Sequence, residues 1–486
     1  MQKIVAVVGG GIGGLSACHH LSKSPNVSKV VLLEGSGRCG GWLNSTRRDD
    51  GAVFEHGPRG VRPAGAVGWN ALNMVSELGL ETEILLVTKD HVASKNRFLY
   101  VKGQLHKMPS GPGGVLRTIS PFSRPIIHSV LKEMLVSKGK DEDESVHAFV
   151  SRRLSSELAD IAIDSLCRGV FAGDCRQLSV RSCFPPLYKA ERARGSIVLG
   201  MLMGSGGGGP NVVPSELAKR ASEESWSLWS LKRGMQTLPE ALENSLRRRE
   251  RVEVHHNTCV KSLTLQGGVW EIKLEDGATL KADHVISTLP ASALASVLPP
   301  TAQPLTEQLR AIASATVAVV NLEYEGFVLP VTGFGHLVPS SEDPGLLGVV
   351  YDSVSFPQHN RNGGPTTRLT VMMGGAWFEQ AFGNRHEVTQ QTVLDRATRA
   401  VTSHLGVTSP PVWSLVSILK NCIPQYHLGH WKRLEKMRQY ISKNNLPLTL
   451  AGASYDGVSV NDVIFSGRTA AEGLVGKPDL QSLNSD

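Results

Sequence analysis

The sequence predicts an α/β protein with a Rossmann-type dinucleotide-binding domain at its N-terminus, and three observations support this fold class. Lys3–Val8 is a short β-branched run of the kind that forms a buried parallel strand. Three glycines in Gly9–Gly14 follow at G-x-G-x-x-G spacing, directly before an apolar pattern with helical period. A second apolar run, Val30–Leu33, ends in Glu34. A strand, a glycine turn, a helix, a strand and an acid in this order predict a dinucleotide site.

Each part of this unit has a physical role. Gly9 permits the turn, Gly11 lets the backbone approach a pyrophosphate, and Gly14 lets the helix pack on the strand. The helix N-terminus offers N–H groups to phosphates, and Glu34 accepts hydrogen bonds from a ribose. A glycine turn that serves only packing is the alternative, and it leaves Glu34 without a role. The predicted contacts in this unit are Gly9, Gly10, Gly11, Ile12, Gly13, Gly14, Glu34 and Gly35.

Composition narrows the class of protein. The chain has 486 residues, 41% of them hydrophobic and 20% charged, as expected for a folded protein of two or three domains. The net charge of +7 is scattered except at Arg247–Arg249, so we expect no nucleic-acid partner, whereas an anionic membrane surface or a carboxylate substrate fits. The seven cysteines form no C-x-x-C pair, and His255-His256 lacks ligand partners at helical spacing, so we expect no metal site.

The chain then divides into alternating segments. Apolar runs with helical period, such as Ile126–Lys138, predict an inserted helical domain at 111–221. Its apolar and basic faces fit either a membrane interface or the domain's own core. Ser205–Pro210 reads as a flexible surface loop. We assign 1–88, 222–300 and 412–486 to the nucleotide-binding domain, and 89–110 and 301–411 to a mixed-sheet substrate domain.

Two features of the sequence bear on membrane association and targeting. No stretch approaches the roughly twenty apolar residues of a membrane-spanning helix. The first strand begins at Lys3 and the phosphate loop at Gly9, so cleavage of a presequence would destroy the loop. We therefore expect no cleavable presequence.

Two glycine turns resemble the flavin-dependent amine oxidase superfamily. GRCGGW, at 37–42, is similar to its R-x-G-G motif, which implies that Arg38 supplies a positive charge near the FAD diphosphate. The turn at 54–63 holds Arg59, which would stabilise the negative charge of a reduced flavin, although a surface turn charge is the alternative. The strand–turn–helix from Leu448 would aim a helix N-terminus at the flavin. The resemblance implies FAD contacts from Arg38, Trp42, Gly57, Pro58, Arg59, Gly60, Val260, Ala451, Asp456, Gly457 and Val458.

Seven segments together resemble the protoporphyrinogen oxidases of animals over nearly the whole chain: GGGIGGL, GPRGVRPAGA, NRFLYV, DSLCRGVFAGDCR, GFGHLVPSSEDPG, NCIPQYHLGHW and LAGASYDGVSVND. The resemblance implies an FAD enzyme of haem synthesis that oxidises protoporphyrinogen IX to protoporphyrin IX, with O2 as acceptor and H2O2 as by-product. It also implies a homodimer on the inner mitochondrial membrane, facing the intermembrane space, with the helical insert docked on the membrane. The next enzyme of haem synthesis is a further implied partner.

The implied substrate is a large apolar macrocycle with propionate arms, which needs aliphatic walls and a few cations. By the resemblance, Arg97 would pair with a propionate, Gly169 would offer its carbonyl to pyrrole N–H groups, and Phe334, Leu337 and Met372 would form the wall. For Leu337 and Met372 the residues alone favour ordinary core packing. Hydride transfer to a flavin needs alignment more than an acid or base, so we assign no catalytic histidine or carboxylate.

Two other readings of the same motifs stay open. An amine oxidase or a carotenoid desaturase would share the flavin motifs. Amine oxidases usually place an aromatic pair against the flavin, and the end of this chain offers only Tyr455 near the glycine turn. The second reading is a non-catalytic FAD-binding scaffold.

Overall fold

The computed structural model describes residues 3–110, 112–203 and 210–476. Of the predicted loop at 205–210, all but Pro210 lies outside the described residues. The strands are β1 Lys3–Val8, β2 Val27–Leu33, β3 Ser45–Arg47, β4 Val53–Glu55, β5 Ile84–Thr88, β6 Phe98–Val101, β7 Gln104–Lys107, β8 Trp226–Leu231, β9 Val252–His255, β10 Val260–Gln266, β11 Val269–Leu274, β12 Thr279–Ala282, β13 His284–Ser287, β14 Ser314–Glu325, β15 Gly335–Leu337, β16 Leu346–Val350, β17 Thr366–Gly375, β18 Trp413–Pro424 and β19 Leu448–Leu450.

The α-helices alternate with these strands. They are α1 Ile12–Leu21, α2 Gly65–Glu77, α3 Val92–Lys95, α4 Pro112–Leu116, α5 Ile126–Leu135, α6 Val146–Arg153, α7 Ser156–Leu158, α8 Asp164–Phe171, α9 Val180–Cys183, α10 Pro185–Arg194, α11 Ile197–Leu202, α12 Glu216–Glu223, α13 Thr237–Arg247, α14 Ala291–Val297, α15 Gln303–Arg310, α16 Asp352–Ser355, α17 Phe378–Phe382, α18 Gln390–Leu405, α19 His430–Lys443 and α20 Val460–Val475. Among the described residues, no helix is long and apolar enough to cross a membrane.

The nucleotide-binding domain is a five-stranded parallel sheet in the order β19-β13-β1-β2-β9. Its strands come from three separate stretches of the chain, which confirms the predicted α/β class and the discontinuous nucleotide-binding domain. Apolar side chains cover both faces of the sheet. Helices α1, α13 and α20 pack on one face, and α14, α15 and α19 pack on the other.

The second domain is a mixed seven-stranded sheet in the order β18-β14-β17-β16-β15-β6-β7. The pair β15–β6 is parallel and the remaining pairs are antiparallel. The sequence interpretation placed 412–486 with the nucleotide-binding domain, whereas β18, Trp413–Pro424, pairs with β14 along its length. This strand therefore belongs to the seven-stranded sheet, and its partly buried pattern is that of an edge strand.

Helices α4 to α12 lie between β7 and β8 in the chain. A separate apolar core holds part of this insert together, with Phe149, Cys167, Phe171 and Leu178 among its buried members. Helix α8 contacts the strands β15 and β16 of the seven-stranded sheet. The insert is thus attached to the same sheet that carries the predicted substrate residues.

Candidate cofactor and substrate site

Four loops meet at the carboxyl end of the five-stranded sheet. They follow β1 at Gly9, β2 at Glu34, β13 at Thr288 and β19 at Ala451. The Thr288 hydroxyl donates a hydrogen bond to the Gly9 carbonyl oxygen at 2.7 Å, and the Ala451 N–H donates to the Ser287 carbonyl oxygen at 3.0 Å. Ligands of open α/β sheets bind outside the carboxyl ends of the strands, so this edge is the candidate nucleotide site.

The glycines of the phosphate loop are required by close backbone approach. Gly9 has a φ of +103°, and a Cβ at Gly14 would lie 1.9 Å from the Gly9 carbonyl oxygen. Ile12 is buried as the first residue of α1. A Cβ at Gly10 would lie 2.9 Å from the Cys39 Sγ atom. At Gly11, the N-cap of α1, a Cβ would meet no atom within 4 Å, so the helix N-terminus opens onto a cradle that a diphosphate fits.

Helix α20 packs directly along α1. A Cβ at Gly13 would lie 3.0 Å from the Val463 side chain, and a Cβ at Gly467 would lie 2.2 Å from the Gly13 carbonyl oxygen. The Ser16 hydroxyl donates a hydrogen bond to the Ile464 carbonyl oxygen at 2.7 Å. The first turns of the two helices therefore lie side by side, and both helices begin at the same edge of the sheet.

Glu34 fixes the phosphate loop from the second strand. Its Oε2 atom accepts a hydrogen bond from the Gly10 N–H at 2.7 Å. Its Oε1 atom accepts from the Ser36 N–H at 2.8 Å and from the Ser36 hydroxyl at 2.6 Å. A carboxylate has about four acceptor sites, so Glu34 can still accept a hydrogen bond from a ribose hydroxyl.

Val260 lies on the segment that contacts the loop after Glu34. The Thr258 N–H donates to the Glu34 carbonyl oxygen at 2.8 Å, and a Cβ at Gly35 would lie 3.0 Å from the Cys259 Sγ atom. Val260 is half-buried at the start of β10. This location is compatible with the nucleoside end of a dinucleotide, and the contact itself stays a prediction.

Arg38 organises the glycine turn by binding its carbonyl groups. The guanidinium donates to the carbonyl oxygens of Gly41 at 2.7 Å and Leu43 at 3.2 Å, and burial lowers its pKa. The Gly40 N–H donates to the Gly10 carbonyl oxygen at 2.8 Å, which joins this turn to the phosphate loop. Arg38 thus holds in place a turn that is hydrogen-bonded to the phosphate loop, and its contact with the diphosphate stays a prediction.

The turn at 57–60 packs on the turn that carries Arg38. A Cβ at Gly57 would lie 2.3 Å from the Trp42 carbonyl oxygen, and a Cβ at Gly60 would lie 2.9 Å from the Leu228 side chain. Pro58 is half-buried, and Trp42 is 44% exposed. Only glycine fits at the first position without movement of backbone atoms.

Arg59 forms a buried ion pair, so it is not a surface turn charge. Its side chain is 10% exposed, and its Nη1 atom donates to the Asp352 Oδ1 atom at 2.6 Å. Asp352 begins α16, directly after β16, so this pair joins the turn to the seven-stranded sheet. The Nη2 atom of Arg59 is buried and has no hydrogen-bond partner among the described residues. A buried donor of this kind fits a bound acceptor such as a flavin.

A network of polar side chains connects the Arg59–Asp352 pair to the seven-stranded sheet. The Thr370 hydroxyl lies 2.6 Å from Asp352 Oδ2 and 2.7 Å from Asn321 Oδ1. The Asn321 side-chain N–H donates to the Glu55 carbonyl oxygen at 3.1 Å. Burial raises the pKa of the Glu55 carboxyl group to about 7. The network connects two strands of the sheet to the segment that precedes the predicted flavin turn.

Two predicted substrate residues lie in one row across the seven-stranded sheet. Leu337 pairs with Gly348, Gly348 pairs with Met372, and Met372 pairs with Val319. Directly paired residues point to the same face of a sheet, so these side chains share one surface. A Cβ at Gly169 of α8 would lie 2.8 Å from the Leu337 side chain. The structure thus brings together three of the five residues predicted for the substrate.

Leu337 and Met372 are only half-buried, whereas the residues that follow them in the chain, Val338 and Met373, are completely buried. Alternation along a strand places the second pair in the main core of the sheet and the first pair on the opposite face. On that face Leu337 and Met372 each border a smaller apolar cluster. Their location leaves part of each side chain accessible, and their contact with a substrate stays a prediction.

No hydrogen bond or ion pair joins the Arg97 guanidinium to another described residue. Partial loss of hydration and the charge of nearby Arg62 lower its pKa. Phe334 is half-buried beside this segment, and its N–H donates to the Asn96 carbonyl oxygen at 2.9 Å. Two neighbouring cations that pair with no carboxylate in the described part of the chain are suited to an anionic ligand.

The C-terminal turn, at 451–458, pairs its one charged side chain with another part of the protein. Ala451 is buried between β19 and the turn. Both carboxylate oxygens of the exposed Asp456 accept from the Arg438 Nη2 atom, at 2.6 and 2.8 Å. The Gly457 N–H donates to the Tyr426 hydroxyl at 2.9 Å, and Val458 packs on the core of the helical insert. The carboxylate of Asp456 is thus directed to Arg438, and the cofactor contacts of this turn stay predictions.

Three residues of the site were not identified from the sequence: Thr288, Asp352 and Tyr426. Thr288 lies 279 positions from its partner Gly9. Asp352 lies 293 positions from its partner Arg59, and Tyr426 lies 31 positions from Gly457. Such contacts depend on the packing of separate elements and leave no local pattern in a single sequence.

The comparisons with known proteins agree with this geometry. The family described as flavin containing amine oxidoreductase matches residues 12–475. The protoporphyrinogen oxidase of Homo sapiens is 52% identical, over 98% of this chain and 99% of that protein. The coproporphyrinogen III oxidase of Bacillus subtilis is 28% identical, over 96% of this chain and 97% of that protein. The solved structure of putrescine oxidase bound to putrescine superposes with a TM-score of 0.62 at 14% identity, covering 98% and 100% of the two chains.

The cofactor is FAD, and the open cradle at Gly11, the Glu34 carboxylate and the unpartnered Nη2 atom of Arg59 fit its diphosphate, ribose and flavin parts. The family match spans nearly the whole chain, and the human relative shares half of its residues. The chain therefore belongs to the flavin containing amine oxidoreductase family and, within it, to the protoporphyrinogen oxidases.

Proposed function

We propose that this protein oxidises protoporphyrinogen IX to protoporphyrin IX in haem biosynthesis, with O2 as acceptor and H2O2 as product. The single observation that carries the proposal is the 52% identity to protoporphyrinogen oxidase over nearly the whole chain. The site supports it, because the apolar row of Leu337 and Met372 lies on the same sheet as β6. Arg97 directly precedes β6 and has no partner among the described residues. Bound FAD would supply the hydride acceptor.

The chain's own residues bind and orient the substrate in this proposal. Leu337 and Met372 form an aliphatic wall for the macrocycle, and the Gly169 carbonyl accepts a hydrogen bond from a pyrrole N–H. Arg97 pairs with a propionate and so fixes the orientation of the macrocycle against this wall. Arg59 donates its free N–H to the cofactor, and Asp352 holds the guanidinium at the other side. No side chain is required as a general acid or base.

The test is anaerobic reduction of the purified protein. Its visible spectrum is recorded, and protoporphyrinogen IX, coproporphyrinogen III, putrescine or NADPH is then added to separate samples. We expect protoporphyrinogen to bleach the flavin band fastest, and readmitted oxygen to restore the band with release of H2O2. Bleaching by putrescine alone would make the protein an amine oxidase. A flavin band that none of the four compounds bleaches would indicate a non-catalytic FAD-binding scaffold.

The variant Arg97→Leu separates substrate binding from cofactor chemistry. Removal of the propionate partner should raise KM about 10-fold or more, because a charged hydrogen bond contributes about 1.5–3 kcal/mol. The flavin spectrum should be unchanged. The control is Lys102→Leu, which changes another cation in the same β6–β7 hairpin and should leave KM unaltered.

We also propose that the helical insert docks on an anionic membrane surface. Its helices α4, α5 and α11, with the residue that follows α11, expose seven large apolar side chains: Leu116, Leu131, Met134, Leu135, Met201, Leu202 and Met203. The exposed basic residues Arg117, Arg124, Lys132 and Lys138 lie on the same segment of chain as α4 and α5. Apolar side chains bordered by cations suit the headgroup boundary of a bilayer.

Flotation with vesicles tests this docking. The double variant Leu131→Ser, Leu135→Ser should lose most of its binding to vesicles that contain phosphatidylglycerol. Phe327→Ser is the matched control, because Phe327 is 87% exposed but follows β14 of the seven-stranded sheet. Equal binding by wild type and double variant would contradict the proposal.

The cellular proposals rest on the family resemblance. We propose a homodimer on the inner mitochondrial membrane, on the intermembrane-space side, that passes its product to the next enzyme of haem synthesis. Light scattering of the detergent-solubilised protein measures the oligomeric state. Protease protection in intact mitochondria and in mitoplasts distinguishes the two faces of the membrane, and crosslinking identifies a neighbouring enzyme.

A further inference from the structure

Three metal-binding side chains converge beside the diphosphate cradle. Cys39 lies in the turn after β2, Glu243 lies on α13, and His256 follows β9. The Cys39 Sγ atom is 3.5 Å from His256 Nε2, and His256 Nε2 is 3.0 Å from Glu243 Oε1. One donor atom from each residue lies within 4.8 Å of the other two. The sequence did not suggest this cluster, because Cys39 lies about 200 residues before the other two members.

The geometry is that of a ligand set and not of a proton relay. A relay would place the cysteine and the carboxylate on opposite nitrogens of the imidazole ring, as in the catalytic triads. Here both contacts are made to the same nitrogen, Nε2. Zinc bonds of about 2.3 Å to sulfur and about 2.0 Å to nitrogen and oxygen give tetrahedral edges of roughly 3.5 Å and roughly 3.3 Å. The observed separations are close to these values.

We infer that Cys39, Glu243 and His256 form a binding site for Zn2+, with a water molecule as the fourth ligand. The Cys39 thiol would release its proton on binding, so that a thiolate and a carboxylate offset the charge of the ion. The Arg247 Nε–H donates to Glu243 Oε1 at 2.8 Å, which supplies the hydrogen bond that ligating carboxylates usually have from a neighbouring group.

Zinc at this site would connect three separate segments of the nucleotide-binding domain. Cys39 is flanked by Arg38, which holds the turn, and by Gly40, whose N–H donates to the Gly10 carbonyl oxygen at 2.8 Å. The ion would therefore hold the turn against α13 and the end of β9. Occupancy should raise the melting temperature and slow the loss of FAD, because the folded state alone presents the three ligands together.

The experiment measures zinc retained by the FAD-loaded protein. The protein is treated with a chelator, incubated with Zn2+, passed over a desalting column and analysed by mass spectrometry of the metal. Wild type should retain one more equivalent per chain than either Cys39→Ser or Glu243→Gln. Two variants are used so that a folding defect in one leaves the other informative. His255→Asn is the control, because His255 precedes His256 and lies 3.3 Å from Glu253.

The melting temperature supplies a second readout. Zn2+ should raise it by several degrees in wild type and His255→Asn, and by less than one degree in the two ligand variants. Equal zinc retention by wild type and ligand variants would mean adventitious binding at surface histidines and would overturn the inference. Loss of the equivalent in His255→Asn would overturn it as well. None of these readouts depends on porphyrinogen turnover, so zinc binding is measured independently of the proposed activity.

Discussion

Two helix pairs in this molecule use apolar residues in opposite ways. At the cofactor site α1 and α20 bury their small and apolar residues against each other, with Gly13 and Gly467 in backbone contact. In the insert, α5 and α11 point Leu135 and Leu202 to the outside, at 88% and 79% exposure. The same helical period of apolar residues therefore marks a core in one region and a surface in the other.

The side of α5 that faces inward carries a carboxylate. Glu133 is completely buried and pairs with the equally buried Arg153 of α6. Its Oε2 atom accepts a hydrogen bond from the Ser196 hydroxyl at 2.6 Å, and its Oε1 atom accepts from the Ile197 N–H at 2.7 Å, at the start of α11. The buried ion pair therefore fixes the orientation of α5. Leu131 and Leu135 of the same helix lie on its exposed side.

The largest expected effect comes from breaking this ion pair. Glu133→Ala removes the nearer of the two buried carboxylates that face the Arg153 guanidinium, the other being Glu191 at 3.6 Å, and should cost about 3 kcal/mol of unfolding free energy. Urea unfolding followed by circular dichroism measures the loss. The control is Lys132→Ala, at the exposed neighbouring position of the same helix, which should change stability by less than about 0.5 kcal/mol. A small effect of Glu133→Ala would show that the insert does not depend on the pair.

The helix contact at the cofactor site should be the next most sensitive position. Gly467→Val places a side chain where a Cβ would already lie 2.2 Å from the Gly13 carbonyl oxygen. Overpacking of this kind should cost about 1–3 kcal/mol and lower the FAD content of the purified protein. Gly473→Val on the same helix is the matched control, because a Cβ there meets no atom within 4 Å. Equal FAD content in both variants would contradict a role for the close approach of α1 and α20.

The contrast also explains which features the sequence could predict. The Gly9–Gly14 spacing and Glu34 predicted the first βαβ unit, because each residue acts on neighbours close in the chain or in a known fold. The apolar period of α5 predicted a helix but not which face is buried, since that depends on Arg153. The assignment of β18 to the wrong domain has the same origin. Strand pairing with β14 is a long-range contact, and a partly buried strand carries no mark of its partner.

Acid should weaken the nucleotide-binding domain through two of its histidines, the buried His430 and the half-buried His284. Burial lowers the pKa values of His284 and His430 to about 4, whereas in the unfolded chain they titrate near 6.5. Between these values the unfolded state binds more protons, so stability is complete above about pH 6.5 and falls as the pH is lowered towards 4. At pH 5.5 the loss should be about 1.4 kcal/mol for each histidine.

Urea unfolding of wild type and His284→Gln at pH 7.5 and 5.5 measures this contribution. Glutamine can still donate to the Thr449 hydroxyl, which lies 2.8 Å from His284 Nε2. The variant should lose less stability than wild type on acidification. An identical loss in both proteins would show that His284 does not gain a proton on unfolding in this pH range.

The smallest expected effect on stability is at the exposed helix pair of the insert. Leu202→Ser should change the unfolding free energy by less than about 0.5 kcal/mol, because Leu202 is 79% exposed and loses few contacts. The comparison is Leu15→Ser on α1, where a completely buried side chain is replaced and the loss should be several kcal/mol. Both values come from urea unfolding in the absence of lipid. A cost above about 1 kcal/mol for Leu202→Ser would mean that this residue is covered by protein in solution, and the docking surface of the insert would then have to be placed elsewhere.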